Sequence, residues 1–282
     1  MSLTGGAATG AHDAVSWSRW ARANVSAAMT ALAAPPQFRA VQGTRALVLA
    51  AGLATILLVA VAMVFADAPL ATASKQLPGW VHAAFEFMTD FGKSGWFLWP
   101  TGLVLAAIAA VTSPALAPLS RLVLATLAVR TGFLFAAIAL PSLFVTIIKR
   151  LIGRARPFVG NEADPFLYLP LSWPAAYASM PSGHTTTAFA AAVAIALVWP
   201  RLRWPMLVYA VIIAASRVAL DAHYLSDVIA GAFVGSIGAL MVRDWFARRN
   251  LGFTVDAKGV AHPLPGPSWP RIKRVARRLI AP

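Results

Sequence analysis

Long uninterrupted apolar runs are the feature that most restricts how this chain can fold. The clearest is ALVLAAGLATILLVAVAMVFA, residues 46–66, which holds no charged side chain. A helix needs about 17–25 apolar residues to cross a bilayer, so this run is long enough by itself. The sequence is 59% hydrophobic and 12% charged, whereas soluble domains carry about 25% charged residues. We therefore predict a polytopic membrane protein.

Six apolar runs predict an all-α integral membrane protein with six transmembrane helices. Their approximate bounds are 46–66, 96–112, 131–148, 183–199, 205–220 and 226–242. The segment RLVLATLAVR precedes the third run, so that helix can begin earlier. We expect a membrane domain over 46–245, between an N-terminal segment (1–45) with a weak interfacial-helix pattern and a basic cytoplasmic tail (246–282).

The distribution of Lys and Arg predicts the orientation of these helices. With six spans both termini share a side, and 17 of the 24 basic residues fall on it with three of the ten acidic residues. Cytoplasmic loops carry an excess of Lys and Arg, so we place both termini in the cytoplasm and the protein in a bacterial cytoplasmic (inner) membrane. Orientation and attraction to anionic lipids account for the net charge of +14, and no nucleic-acid partner is expected.

The basic tail contains WPRIKRVARRLI, residues 269–280. As a helix, this segment would place Trp269, Ile272, Val275 and Leu279 near one face and basic side chains on the other. That pattern favours a surface helix on an anionic leaflet. A disordered basic tail is the alternative.

Three polar clusters interrupt the apolar chain, and the predicted topology puts all three on the extracytoplasmic side. They are KRLIGRARP (149–157), PSGH (181–184) and SRVALDAHYLSD (216–227). Each has an ordinary explanation: basic residues snorkel at helix ends, Pro-Ser-Gly starts helices, and a loop histidine is usually exposed. Their convergence favours a shared site, because two of them hold five of the seven outer basic residues.

The residue types in these clusters suit phosphate chemistry. Lys149, Arg156 and Arg217 concentrate positive charge, and guanidinium groups match phosphate oxygens. Ser182 and Gly183 open a helix, whose first N–H groups and dipole attract anions.

Two histidines accompany this anion site. His223 and Asp227 are four residues apart, so on a helical turn they share a face, and the carboxylate can orient the imidazole and stabilise its cation. His184 has no such partner in sequence. A nucleophile and a general acid for phosphoryl transfer would have this arrangement. The chain has no cysteine, which excludes disulfides, thiolate catalysis and Cys-ligated metals.

In order and internal spacing, the clusters resemble the signature of the type 2 phosphatidic acid phosphatase superfamily, which includes lipid phosphate phosphatases and vanadium haloperoxidases. That signature is Lys, six residues, Arg-Pro; then Pro-Ser-Gly-His; then Ser-Arg, five residues, His, three residues, Asp. The segments 149–157, 181–184 and 216–227 match it without gap or substitution.

The resemblance implies a bacterial membrane lipid phosphatase that needs neither metal nor cofactor. It implies that His223 attacks phosphorus and forms a phosphohistidine, that Asp227 orients His223, and that His184 protonates the leaving alkoxide. Phosphoryl binding falls to the other matched residues, which are Lys149, Arg156, Ser182, Gly183 and Arg217. The substrate would be undecaprenyl pyrophosphate, phosphatidylglycerophosphate, phosphatidate or lipid A 1-phosphate, and the motifs do not choose among them.

Two alternative functions would use the same residues. One is a lipid phosphotransferase, which passes the phosphoryl group to an acceptor other than water. The other is a non-catalytic phospholipid-binding or transport protein, which the intact histidines argue against. Nothing in the sequence indicates the oligomeric state.

Several residues near the signature are open to interpretation. Arg150 and Arg154 lie between matched positions, and we interpret them as snorkelling or headgroup-binding residues. Asp221 is expected to pair with a nearby Arg, the alternatives being an effect on His223 or a headgroup contact. A metal site at the two histidines is disfavoured, because the clustered cations would repel a metal.

Overall fold

The computed structural model describes residues 6–37, 41 and 43–280, with side chains from residue 17 onward. Its helices are α1 (Gly6–Ala33), α2 (Thr44–Phe65), α3 (Asp67–Ser74), α4 (Gly79–Thr89), α5 (Gly95–Val111), α6 (Pro118–Ile152), α7 (Gly183–Val198), α8 (Arg203–Ala219), α9 (Leu225–Ala247) and α10 (Trp269–Ile280). An antiparallel hairpin joins β1 (Phe253–Val255) to β2 (Ala261–Pro263). The described chain is therefore mostly helical, as expected.

Five helical stretches of this described part are long and apolar enough to cross a membrane. They are Thr44–Phe65, Gly79–Val111, Pro118–Ile152, Pro200–Ala219 and Leu225–Ala247. The remaining predicted span, 183–199, corresponds to α7, which is apolar but has only 16 residues. Its length of about 24 Å is less than the hydrocarbon thickness of about 30 Å. Six crossings, cytoplasmic termini and an extracytoplasmic site therefore stay predictions.

The helices lie at the predicted apolar runs, with two differences. The third helix, α6, begins at Pro118, so the segment RLVLATLAVR belongs to it. Residues 67–92 form α3, α4 and a 3-10 turn at Asp90–Gly92, which the apolar runs did not predict.

The chain divides into two compact units. One comprises Met1–Val41, Trp99–Phe133 and Trp245–Pro282, and the other comprises Gln42–Leu98 and Leu134–Asp244. The second unit contains all three polar clusters. The division at residues 45 and 245 stays a prediction, and residues 1–5, 38–40, 42 and 281–282 lie outside the description.

In the first unit, the tail helix α10 packs its apolar face on protein. Val275 is buried against Val123 and Leu124 of α6, with Ile272 and Leu279 beside it. The tail is thus helical, and this face is used inside the unit. The basic residues of α10 are exposed, so their binding to anionic lipids stays a prediction.

A polar side chain of the N-terminal helix α1 bonds to the end of α5 in the same unit. The Asn24 amide donates to the backbone carbonyls of Ala109 and Thr112, at 2.9 and 2.8 Å. A helix is therefore present in the N-terminal segment, and its position at a membrane interface stays a prediction.

In the second unit, α7 is largely buried and α9 approaches it closely. Glycines on α9 remove the side chain where α7 passes. A Cβ atom at Gly231 would lie 2.6 Å from the carbonyl oxygen of Ser182, and one at Gly235 would lie 2.3 Å from that of Thr186. Small residues permit this approach between membrane helices. The contact brings the PSGH segment beside the start of α9.

Gly235→Ala should destabilise the protein, because the added methyl would overlap the Thr186 carbonyl oxygen and lie 3.0 Å from the Ala190 nitrogen. We expect a loss of about 1–3 kcal/mol in the free energy of unfolding, as for other overpacked interiors. Thermal unfolding in detergent measures it. Gly132→Ala is the matched control, since a Cβ there meets no atom within 4 Å. Equal melting temperatures for the two variants would contradict the close packing.

Candidate active site

The second unit brings the three polar clusters together at the ends of its helices. Lys149 lies in the last turn of α6 and Arg217 in the last turn of α8. The Lys149 ammonium lies 4.0 Å from the position of a Cβ at Gly183. His184, next to Gly183, interacts electrostatically with Arg217, His223 and Lys149. Residues from all three clusters therefore surround one space.

The guanidinium groups of Arg156 and Arg217 supply unused donors to this space. Their Nε atoms are buried and have no hydrogen-bond acceptor among the residues that the structure describes. Arg217 Nη1 donates to Thr89 Oγ1 at 2.6 Å. Arg156 also repels both Arg217 and Lys149 electrostatically. Unsatisfied buried donors and like charges are costly, so the arrangement indicates an anion site.

His223 is buried between α8 and α9, beside the carboxylate that was expected to orient it. Its Nδ1 is 3.7 Å from Asp227 Oδ2, which is long for a hydrogen bond, and 3.4 Å from Ser179 Oγ. Ser179 Oγ donates to the same Asp227 oxygen at 2.6 Å. Ser179 therefore bridges the pair, and the orienting role of Asp227 stays a prediction.

The surroundings of His223 favour its neutral form. Burial lowers the pKa of the His223 imidazole below its ordinary value, and the positive charges of Arg217 and Arg156 lower it further, although Asp227 acts in the opposite direction. A neutral imidazole has the free electron pair that nucleophilic attack requires.

The start of α7 differs in one detail from the sequence prediction. The Ser182 N–H donates to the backbone carbonyl of Asp227 at 3.0 Å, so it is not free for a phosphate, and a contact from Ser182 would use its hydroxyl. The Gly183 N–H belongs to the first helical turn, where amides lack an intrahelical acceptor. Thr185 and Thr186 bond to the Ser182 hydroxyl and carbonyl at 3.0 and 2.8 Å, which stabilises this turn.

Two interpretations of neighbouring charged residues were wrong. Arg154 does not snorkel: it is 0% exposed and forms ion pairs with Asp67 and Asp227. Asp221 accepts a hydrogen bond from the Ser74 hydroxyl instead of pairing with an Arg. Both contacts join residues far apart in sequence, so local pattern did not indicate them.

Three residues beside the site were not identified from the sequence: Asp67, Thr89 and Ser179. Thr89 ends α4, and the turn after it packs on a site histidine, since a Cβ at Gly92 would lie 3.0 Å from His184 Cδ2. Asp67 carried a signal, because an ionisable residue at the end of an apolar span is a functional candidate. Thr89 and Ser179 are common polar residues and carried none.

Comparison with known proteins gives consistent matches. Residues 130–251 match the PAP2 superfamily. The lipid A 1-phosphatase of Rhizobium etli is 33% identical over 221 residues, which cover 78% of this chain and 90% of the relative. The putative undecaprenyl-diphosphatase YbjG of Escherichia coli is 43% identical over 109 residues, 37% of this chain and 52% of the relative.

A solved structure also resembles this chain. It is a transmembrane PAP2 type phosphatidylglycerolphosphate phosphatase from Bacillus subtilis, with a TM-score of 0.51 and 21% identity. The match covers 69% of this chain and 93% of that one. At this identity the likeness supports the fold alone.

Thr89→Val should weaken phosphate binding, because Arg217 would lose the acceptor that fixes its guanidinium group. A hydrogen bond to a charged group contributes about 1.5–3 kcal/mol, so we expect the affinity for inorganic phosphate to fall about tenfold or more in calorimetric titration. Thr126→Val is the matched control, since within the described part of the chain the Thr126 hydroxyl bonds only to the Leu122 carbonyl of its own helix. Equal affinities in the two variants would show that Thr89 does not position Arg217.

Proposed function

The chain belongs to the PAP2 superfamily and is a membrane lipid phosphatase, and from this premise we propose that it removes the 1-phosphate of lipid A through a phosphohistidine intermediate. One observation carries the mechanism: within the described residues the buried Nε atoms of Arg156 and Arg217 have no acceptor, and both guanidinium groups act electrostatically on buried His223. The Rhizobium etli relative named lipid A 1-phosphatase supports the substrate, because the similarity spans 90% of its length.

In the first step, His223 attacks phosphorus. Its Nδ1 faces Ser179 and Asp227, so Nε2 is the nitrogen that forms the bond. As the N–P bond forms, the bond from phosphorus to the lipid oxygen breaks, and His184 gives that oxygen a proton. Asp227 stabilises the positive charge that the imidazole gains.

In the second step, water releases the phosphate. Deprotonated His184 accepts a proton from water as the water oxygen attacks phosphorus, the N–P bond breaks, and neutral His223 is restored. Lys149, Arg156 and Arg217 stabilise the charge on the phosphoryl oxygens in both transition states. These cations supply the positive charge that metal ions supply in many other phosphoryl transfers, so no metal is included.

Undecaprenyl pyrophosphate is the second candidate substrate. The similarity to YbjG, 43% over 109 residues, favours it. The same histidines and cations would act on its terminal phosphate. Transfer of the phosphoryl group to another lipid would also use these residues, with a lipid hydroxyl in place of water.

Purified protein in detergent with EDTA should release phosphate, with the highest kcat/KM on lipid A that carries the 1-phosphate. The panel includes undecaprenyl pyrophosphate, phosphatidylglycerophosphate and phosphatidate. His223→Gln should lower kcat at least about 10³-fold, because it removes the nucleophile. His262→Gln is the matched control, since His262 is exposed on the tail hairpin and pairs with Asp256.

Each other outcome excludes part of the proposal. Activity in His223→Gln, or a requirement for a divalent metal, would contradict the mechanism. Highest kcat/KM on undecaprenyl pyrophosphate would make that lipid the substrate in place of lipid A 1-phosphate. If ³²P from the labelled lipid is found on a second lipid instead of in inorganic phosphate, the protein is a phosphotransferase. If the lipid binds but no phosphate is released, it is a binding protein.

We also infer that the site faces the periplasm of a bacterial inner membrane, because most basic residues belong to the other side of the predicted topology. The chain has no cysteine, so single cysteines can be introduced without background. Glu162→Cys, in the exposed loop after α6, should react with a membrane-impermeant maleimide in spheroplasts. Arg277→Cys, on α10, should react only after lysis. The reverse pattern would overturn this orientation.

A further inference from the structure

Asp67 lies outside the three polar clusters, yet its buried side chain bonds to residues of two of them. It is the first residue of α3, directly after the predicted membrane span α2 ends. Asp67 Oδ1 accepts the backbone N–H of Ser226 at 3.0 Å, and Oδ2 accepts the Ser226 hydroxyl at 2.5 Å. Oδ2 also accepts Arg154 Nη2 at 2.8 Å. This carboxylate therefore joins the end of the first span to the start of α9.

Arg154 extends these contacts to the residue beside the proposed nucleophile. Its Nη1 donates to Asp227 Oδ1 at 2.6 Å and to Ser226 Oγ at 2.6 Å. Its Nε donates to the carbonyl of Pro165 at 3.0 Å, and its guanidinium lies over the Tyr224 ring at 4.6 Å. Arg154 is thus fixed between two carboxylates. We call Asp67, Arg154, Ser226 and Asp227 the Asp67 network.

The charges of the network explain why a second carboxylate is needed. Arg154 alone would neutralise Asp227, and His223 would then face mainly the cations Arg217 and Arg156. With Asp67 present, one positive charge lies between two negative ones, so the group keeps a net negative charge next to His223. In a buried environment such charges interact more strongly than in water.

We propose that Asp67 is a positioning residue for the phosphatase reaction. By sharing Arg154, it leaves Asp227 able to orient His223 and to stabilise the positive charge that forms on the imidazole when the N–P bond is made. Asp67 acts through Arg154, Ser226 and Asp227 and does not touch the substrate. This inference rests on the proposed role of His223.

Asp67→Asn tests the proposal, because it removes the charge with almost no change in size. We expect kcat to fall about 10- to 100-fold, the range found when the residue that orients a metal-binding side chain is removed. KM should change little, because Lys149, Arg156 and Arg217 are untouched. Asp256→Asn is the matched control: Asp256 is an exposed carboxylate on the tail hairpin that also accepts several hydrogen bonds.

The pH profile separates positioning from a purely structural role. Burial lowers the pKa of His223, so the acidic limb of kcat/KM in the wild type should lie below pH 6.5, the ordinary value for histidine. Asp67→Asn removes the negative charge of residue 67, which disfavours the His223 imidazolium further. The acidic limb of kcat/KM should therefore move to still lower pH in this variant.

The other titratable groups that act on His223 are not substituted in this variant. They are Asp227 on α9, Arg217 on α8, Arg156 in the loop after α6 and His184 on α7. A purely structural role would lower the melting temperature and the active fraction, but it would leave the limb and the kcat of folded enzyme unchanged. That result would overturn the proposal.

Ser226→Ala decides the matter if Asp67→Asn does not fold. It keeps every charge, the backbone bond from residue 226 to Asp67 and the direct Asp67–Arg154 ion pair, and removes the hydroxyl that bridges Asp67 and Arg154 beside that pair. We expect kcat to fall about 3- to 10-fold, the effect of one lost hydrogen bond, with no movement of the acidic limb. Wild-type kcat in folded Ser226→Ala would then overturn the proposal.

The two proposals fail in distinguishable ways. Activity in His223→Gln overturns the phosphohistidine mechanism, whereas wild-type kcat and pH limb in Asp67→Asn overturn only the role of Asp67. If no lipid is hydrolysed, ¹⁵N NMR of the ring nitrogens, assigned with His223→Gln, still measures the pKa of His223. A lower pKa in folded Asp67→Asn, or a changed His223 resonance in Ser226→Ala, supports the network, and unchanged values overturn it.

Discussion

The ion pairs of Arg154 are the interaction on which the arrangement of the site depends. A guanidinium that is 0% exposed must be paired, because an unpaired buried charge costs several kcal/mol. Asp67 and Asp227 supply the partners from two different parts of the chain. The need to pair Arg154 therefore holds the end of the first predicted span, the loop after α6 and the start of α9 together. His223, just before α9, is positioned with them.

A second constraint is the mutual repulsion of the cations that surround the site. Arg156 repels both Lys149 and Arg217, and helix ends hold Lys149 and Arg217 in place, the latter also through Thr89. A phosphoryl group placed among them relieves that repulsion and satisfies the unused Nε donors. The groups that repel one another thus attract an anion, and this attraction increases as negative charge develops in the transition state.

The sequence predicted the apolar helices well, because they depend on local pattern, whereas the roles of the signature residues stay predictions. Apolar runs predicted α2 and α5 to α9, and motif spacing predicted that His184, Arg217 and His223 converge. The helices α3 and α4 have 8 and 11 residues, too short for a span, so hydropathy did not reveal them. Arg154 and Asp67 are 87 residues apart, and such a pair follows only from tertiary packing. The apolar face of α10 was likewise assigned to lipid, whereas it packs on α6.

The short length of α7 connects these observations. At about 24 Å it cannot span the hydrocarbon layer alone, and its first turn carries Ser182, Gly183 and His184. Neighbouring segments must therefore surround that turn, which the contacts of Gly231 and Gly92 achieve from two directions. Buried polar groups need protein partners in place of water. The threonines after His184 and the Asp67 network supply those partners, so the features that place the site at helix ends also account for the buried polar residues around it.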